Sequence, residues 1–135
     1  MKFPFLIPAC VLFYVSSALG PAYYRGTQPT YGFEAMFSAF FVSLFFVFEG
    51  HLWAWGLWAC HFGTAANALA IIAMGLSQTD FQKQGAMCAG TAFVSGLLSL
   101  LILWLGEGFL PGAGAGVWLL SLLGLTVANT MGTIE

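Results

Sequence analysis

The residues able to do chemistry are few: two histidines, five acidic and three basic side chains in 135 residues. Their densest cluster is Glu49, His51 and His61, set among Trp53, Trp55 and Trp58. Imidazole and carboxylate groups at this density can ligate haem or chlorophyll, bind a transition metal, or hydrogen-bond a quinone. Residues 49 and 51 project about 200° apart on a helix, and 51 and 61 are separated by a turn, so no i, i+3 or i, i+4 ligand pair exists and no metal site is expected. His61 is the better cofactor ligand, because Trp58 and Phe62 stand near enough to wall a ring; His51 is the second candidate. The competing expectation needs no cofactor. Glu49 and His51 reach headgroup water at a corner while the tryptophans form an interfacial belt.

Asn67 is the other polar residue of interest, with Thr64 one turn before it. An amide inside an apolar helix bonds across a helix interface, worth about 1 kcal/mol. Glu34 is expected to sit at a helix N-terminus, stabilised by the helix dipole. Glu107 in a glycine-rich corner and Asp80 in a polar loop are expected to be solvated. Cys10, Cys60 and Cys88 fall in or beside apolar runs and read as small packing residues, not as a disulfide framework. No nucleophile–base pair and no phosphate-cradling loop is present, so no catalytic residues are assigned.

The elements that position these residues follow from composition: 60% hydrophobic, 17% aromatic, 6% charged, mean hydropathy +0.91. An average soluble domain is about a quarter charged. A soluble globule is therefore excluded, as are intrinsic disorder and nucleic-acid binding, which three dispersed cations cannot support. The expected fold is an all-α integral membrane protein, one domain over 1–135, a compact bundle of about five transmembrane helices. A span needs about 20 apolar residues, which places spans near 3–20, 32–49, 57–76, 86–105 and 117–132. The count falls to four if the first segment is not a full span. Arg25, Gln28 and two prolines make 21–30 a polar loop, residues 77–84 form a second, and Pro111 with five glycines makes 106–116 a flexible break. Pro21, directly after Ala18, Leu19 and Gly20, argues against reading the first segment as a cleaved signal. Continuous apolar runs exclude a β-barrel. Arg25 and Lys83 share one side against Lys2 on the other, a weak pointer to a cytoplasmic or equivalent face.

Spans two with three and four with five share faint echoes, Glu49–Gly50 against Glu107–Gly108 among them, which suggests a duplicated helical hairpin. Small residues four apart, Gly124, Ala128 and Gly132 in span five and Ala92 and Gly96 in span four, form ridges for close helix packing. Ala59 with Gly63, and Ala66 with Ala70, repeat the device. The phenylalanine-rich second span, with Phe37, Phe40, Phe41, Phe45, Phe46 and Phe48, is expected to present rings on nearly every side. With no loop much beyond ten residues, the expected function is that of an accessory, structural subunit of a larger membrane complex, respiratory or photosynthetic, packed among other membrane subunits and lipid. Its expected location is a bacterial inner membrane or an organellar inner or thylakoid membrane. Two alternatives stay open: a haem-, chlorophyll- or quinone-binding subunit using His61 or His51, and a small transporter or channel with Glu49 as coupling carboxylate.

Overall fold

The computed structural model describes residues 6–49 and 55–134, with side chains over 6–45 and 57–131. All five apolar segments are helical: α1 (Leu6–Ser17), α2 (Gly32–Glu49), α3 (Trp55–Leu76), α4 (Gln82–Glu107) and α5 (Ala113–Ile134). Among the described residues three stretches are long and apolar enough to cross a membrane, Leu57–Leu76, Gln82–Glu107 and Ala113–Met131. Among the described residues the first segment is helical over Leu6–Ser17 and ends three residues before the expected 20. Its 12 helical residues reach about 18 Å, against roughly 30 Å of bilayer core.

The stretches expected as loop and flexible break instead build a small antiparallel sheet, ordered β2-β1-β3, from β1 (Pro21–Arg25), β2 (Gln28–Tyr31) and β3 (Leu110–Pro111). Arg25 pairs with Gln28 across a two-residue turn. Gly26 takes φ +65 there, and a hairpin turn with positive φ at its first central residue is the one that matches strand twist. Pro29 and Pro111 lie on the two edge strands, where a missing N–H leaves no ladder bond unmade. Helix α5 begins inside the glycine run, at Ala113. These glycines serve close approach: a Cβ on Gly114 would come within 2.8 Å of the Gly20 and Pro21 carbonyl groups.

The core lies where α3, α4 and α5 meet, around Ala66, Ala70, Ala73, Ala89, Ala92, Leu122 and Leu125, each 0% exposed. Small residues on one helix receive large ones from the next. Gly96 takes the Trp118 ring, Gly85 the Asn129 amide, and Gly124 the Cys10 thiol of α1, each so tightly that a Cβ would meet its neighbour at 3.0 Å or less. At the end away from the sheet, the buried Asn129 Nδ2 donates to Ser77 Oγ and to the Leu125 carbonyl, both at 2.8 Å. That ties α5 to the C-terminus of α3.

Helix α2 bridges the bundle. Its first free amides are bound by the end of α1, Gly32 N–H to the Gly20 carbonyl and Phe33 N–H to that of Ala18. Glu34 accepts from the Tyr31 N–H at 3.2 Å, the backbone half of a capping box. Eleven residues on, about 16 Å along the helix, Ser43 meets His61 of α3. Of the phenylalanines expected to ring this helix, Phe46 and Phe48 lie outside the described side chains, and the described ones gather on one side. Phe33, Phe37, Phe40, Phe41, Leu44 and Phe45 are exposed and span an arc of about 140° at 100° per residue, while Ala35, Ala39 and Val42 turn inward.

Candidate functional site

Between α2 and the other helices, at the sheet end, lies a cavity of ≈ 740 Å³. Its walls are Tyr14 and Ser17 of α1, Ala35, Ala39 and Val42 of α2, Cys60, Gly63 and Asn67 of α3, Ser99 and Leu103 of α4, and Ala115 and Trp118 of α5; Tyr23 and Phe109 stand at the sheet. The void has a direct cause. Where Ala35 and Ala39 of α2 come opposite Cys60 and Gly63 of α3 the facing side chains are small and leave a gap, which Met36, Val42 and Leu57 border. Cavities of about 300–1,000 Å³, mostly apolar with a few placed polar groups, are what small-molecule sites look like.

Cys60, Gly63 and Asn67 form one stripe of α3 at i, i+3 and i+7, which sets Asn67 about 10 Å further from the sheet than Cys60. At that depth the Tyr14 hydroxyl donates to Asn67 Oδ1 at 2.5 Å. Ser17 Oγ donates to the Tyr14 carbonyl at 2.5 Å and Ser99 Oγ to the Ala59 carbonyl at 2.7 Å. Among the described residues Asn67 Nδ2 makes no hydrogen bond, and Asn67 lines the chamber. At the sheet, Tyr23 packs on Phe109 with ring centroids 5.2 Å apart, and Arg25 lies 5.9 Å over the other ring. Burial pushes the Tyr23 phenol above its ordinary value, opposed in part by a hydrogen bond with Thr30. Glu107 touches the chamber from an exposed position.

Of the expected cofactor ligands, His61 falls outside the chamber and His51 lies outside the described residues. Glu49 ends α2 with its side chain outside the described residues, and His51, Trp53 and Trp55 likewise lie outside the described side chains. His61 sits beside the chamber and is absent from its walls. Its Nδ1 pairs with Ser43 Oγ at 2.5 Å, and its Nε2 is buried without a partner. Trp58 lies 5.9 Å from the His61 ring and 6.1 Å from Phe62, so two aromatics do flank this segment. Among the described residues no three His, Cys, Asp or Glu side chains converge on a metal position. All three cysteines are free. Of the packing residues, Ala92 and Gly96 are buried and Gly124 takes Cys10, while Ala128 is half-buried and Gly132 lies beyond the described side chains.

Sequence reasoning singled out Asn67 and missed its partner Tyr14, because a tyrosine in an apolar run reads as packing. It also missed Asn129 and Ser77. An amide inside an apolar segment is itself a signal, and Asn129 carries it as plainly as Asn67. Thr64, noted beside Asn67, has its hydroxyl oxygen buried without a partner. No family model, no curated protein and no solved structure matches this chain.

Proposed function

We propose that this chain is a multi-pass membrane protein that holds an apolar small molecule in a chamber between α2 and the rest of the bundle. The observation that carries this is the ≈ 740 Å³ cavity with an unspent amide donor at its far end. An apolar void of that size in a close-packed bundle forfeits contacts that a ligand restores. In this reading α2 is the movable wall, because its inner face is small and its outer face is covered with rings suited to lipid. The test is native mass spectrometry of protein purified in mild detergent. Wild type is expected to carry an adduct of small-molecule mass, and Ala35→Trp, which puts an indole into the chamber, is expected to lose it while melting at an unchanged temperature. Bare protein in both samples contradicts the reading.

A second reading, the accessory subunit of a larger membrane assembly, is favoured by the exposed aromatic face of α2, where Phe37 and Phe41 are 55% and 63% exposed. Rings exposed on one face suit a neighbouring subunit as well as lipid. Purification at low detergent is expected to bring down stoichiometric partners, and Phe37→Ala with Phe41→Ala to release them. A chain that purifies alone contradicts it. The two readings are compatible, since a ligand-holding subunit of a complex satisfies both.

A further inference from the structure

The chamber also defines the chemistry of its occupant, and this step rests on reading the chamber as a ligand site. Among the described residues lining it there is no Lys, Arg or His, and the one charged group is the carboxylate of Glu107. An anionic head would lose its hydration with no cation to replace it, which disfavours fatty acids and phosphate-bearing lipids. The hydroxyl protons near the far end are already spent, that of Tyr14 on Asn67, of Ser17 on the Tyr14 carbonyl and of Ser99 on the Ala59 carbonyl. What remains unspent among the described residues is a donor, Asn67 Nδ2. Aromatic rings border the space at two levels, Trp118 on α5 and the Tyr23–Phe109 pair at the sheet. We infer that the chamber takes a neutral, lipid-soluble ring carbonyl compound of the quinone or ring-ketone class, its carbonyl oxygen accepting from Asn67 Nδ2 and its ring lying among the aromatic walls.

The experiment is a titration of full-length protein in phosphatidylcholine nanodiscs with decylubiquinone, followed by quenching of tryptophan fluorescence. Wild type is expected to bind saturably. Tyr14→Phe/Asn67→Leu is expected to weaken binding about five- to tenfold, the worth of one buried hydrogen bond. That double variant replaces both members of a hydrogen-bonded pair with apolar groups, so neither is left without the other; Trp118, which also hydrogen-bonds Tyr14, loses that contact, and the melting temperature is measured alongside. Ala35→Trp is expected to abolish saturable quenching, and dodecanoic acid is expected not to compete. If Ala35→Trp abolishes binding while the double variant binds as wild type does, the chamber stands and the assignment of Asn67 to a carbonyl is overturned. Competition by dodecanoic acid at comparable concentration overturns the neutral head. If wild type does not bind the quinone yet carries an adduct in native mass spectrometry, the ligand class is overturned alone; if it also carries no adduct, both readings fall.

Discussion

The two ends of this bundle draw on the same residue types and reach opposite outcomes. In the half formed by α3, α4 and α5, alanine and glycine face larger side chains, as Ala92 faces Leu122 and Gly85 faces Asn129, and these four residues are buried. At the sheet end the small residues of α2 face the small residues of α3, and the result is a cavity of ≈ 740 Å³. Small residues alone therefore specify neither packing nor space. What decides is the size of the side chain that comes across. Polar residues follow the same division. Asn129 spends both amide hydrogens within the protein while its Oδ1 is buried without a partner, whereas Asn67 Nδ2 makes no hydrogen bond among the described residues.

The largest losses are expected where bulk is added to a close contact that has no room for it, at either end. Gly114→Val pushes side-chain atoms into the Gly20 and Pro21 backbone, which cannot rotate away, and is expected to cost about 3 kcal/mol or more and to lower the melting temperature in detergent more than any other substitution named here. Gly96→Leu meets the Trp118 ring, which can yield part of the way, so a loss of about 1–3 kcal/mol is expected by the same melt. Asn129→Leu removes two donors inside the packed half and is expected to cost about 1–2 kcal/mol by detergent unfolding. Tyr14→Phe, at the chamber, gives up hydrogen bonds with Asn67 and Trp118 beside open space and is expected to cost less than Asn129→Leu. A larger loss at Tyr14 would mean that the chamber end is the more rigid of the two. The smallest effect is alkaline. The Tyr23 phenol is raised in the fold above its ordinary 10.0, so its contribution is complete below pH 10 and is lost as pH rises through the folded value. Melts at pH 9 and pH 11 are expected to show a smaller alkaline loss in Tyr23→Phe than in wild type.

How much of this was legible in the sequence depends on the kind of feature. The five helices stand out as apolar runs bounded by Arg25, Gln28, Asp80, Lys83 and the Gly106–Gly116 region, because continuous apolar length is a property of one segment at a time. The sheet was not legible: its strands hold five, four and two residues, too few to display an alternation. The one usable signal was Gly26 followed by Thr27, a glycine where a tight hairpin needs positive φ. Glycines 112–116 misled for a related reason, since a run that reads as flexible is here a surface stripped for close contact with Gly20 and Pro21. Asn67 was legible as a costly amide in an apolar helix; the chamber beside it was not, because a void belongs to the pairing of two faces and no single segment records it. The emphasis on Glu49 and His51 fell on residues outside the described side chains, and His61 turned toward Ser43 instead of the open space.

The measurement that tests the central contrast most directly makes one substitution at both ends. Ala35→Leu places an isobutyl group against the chamber that Ala35 lines, and Ala70→Leu places the same group in an interface where Ala70 is 0% exposed. Detergent melts of the two variants beside wild type are expected to show Ala35→Leu unchanged or raised, and Ala70→Leu lowered by an overpacking cost of about 1–3 kcal/mol. Equal losses at both positions would contradict the account, because they would mean that no usable space lies behind α2.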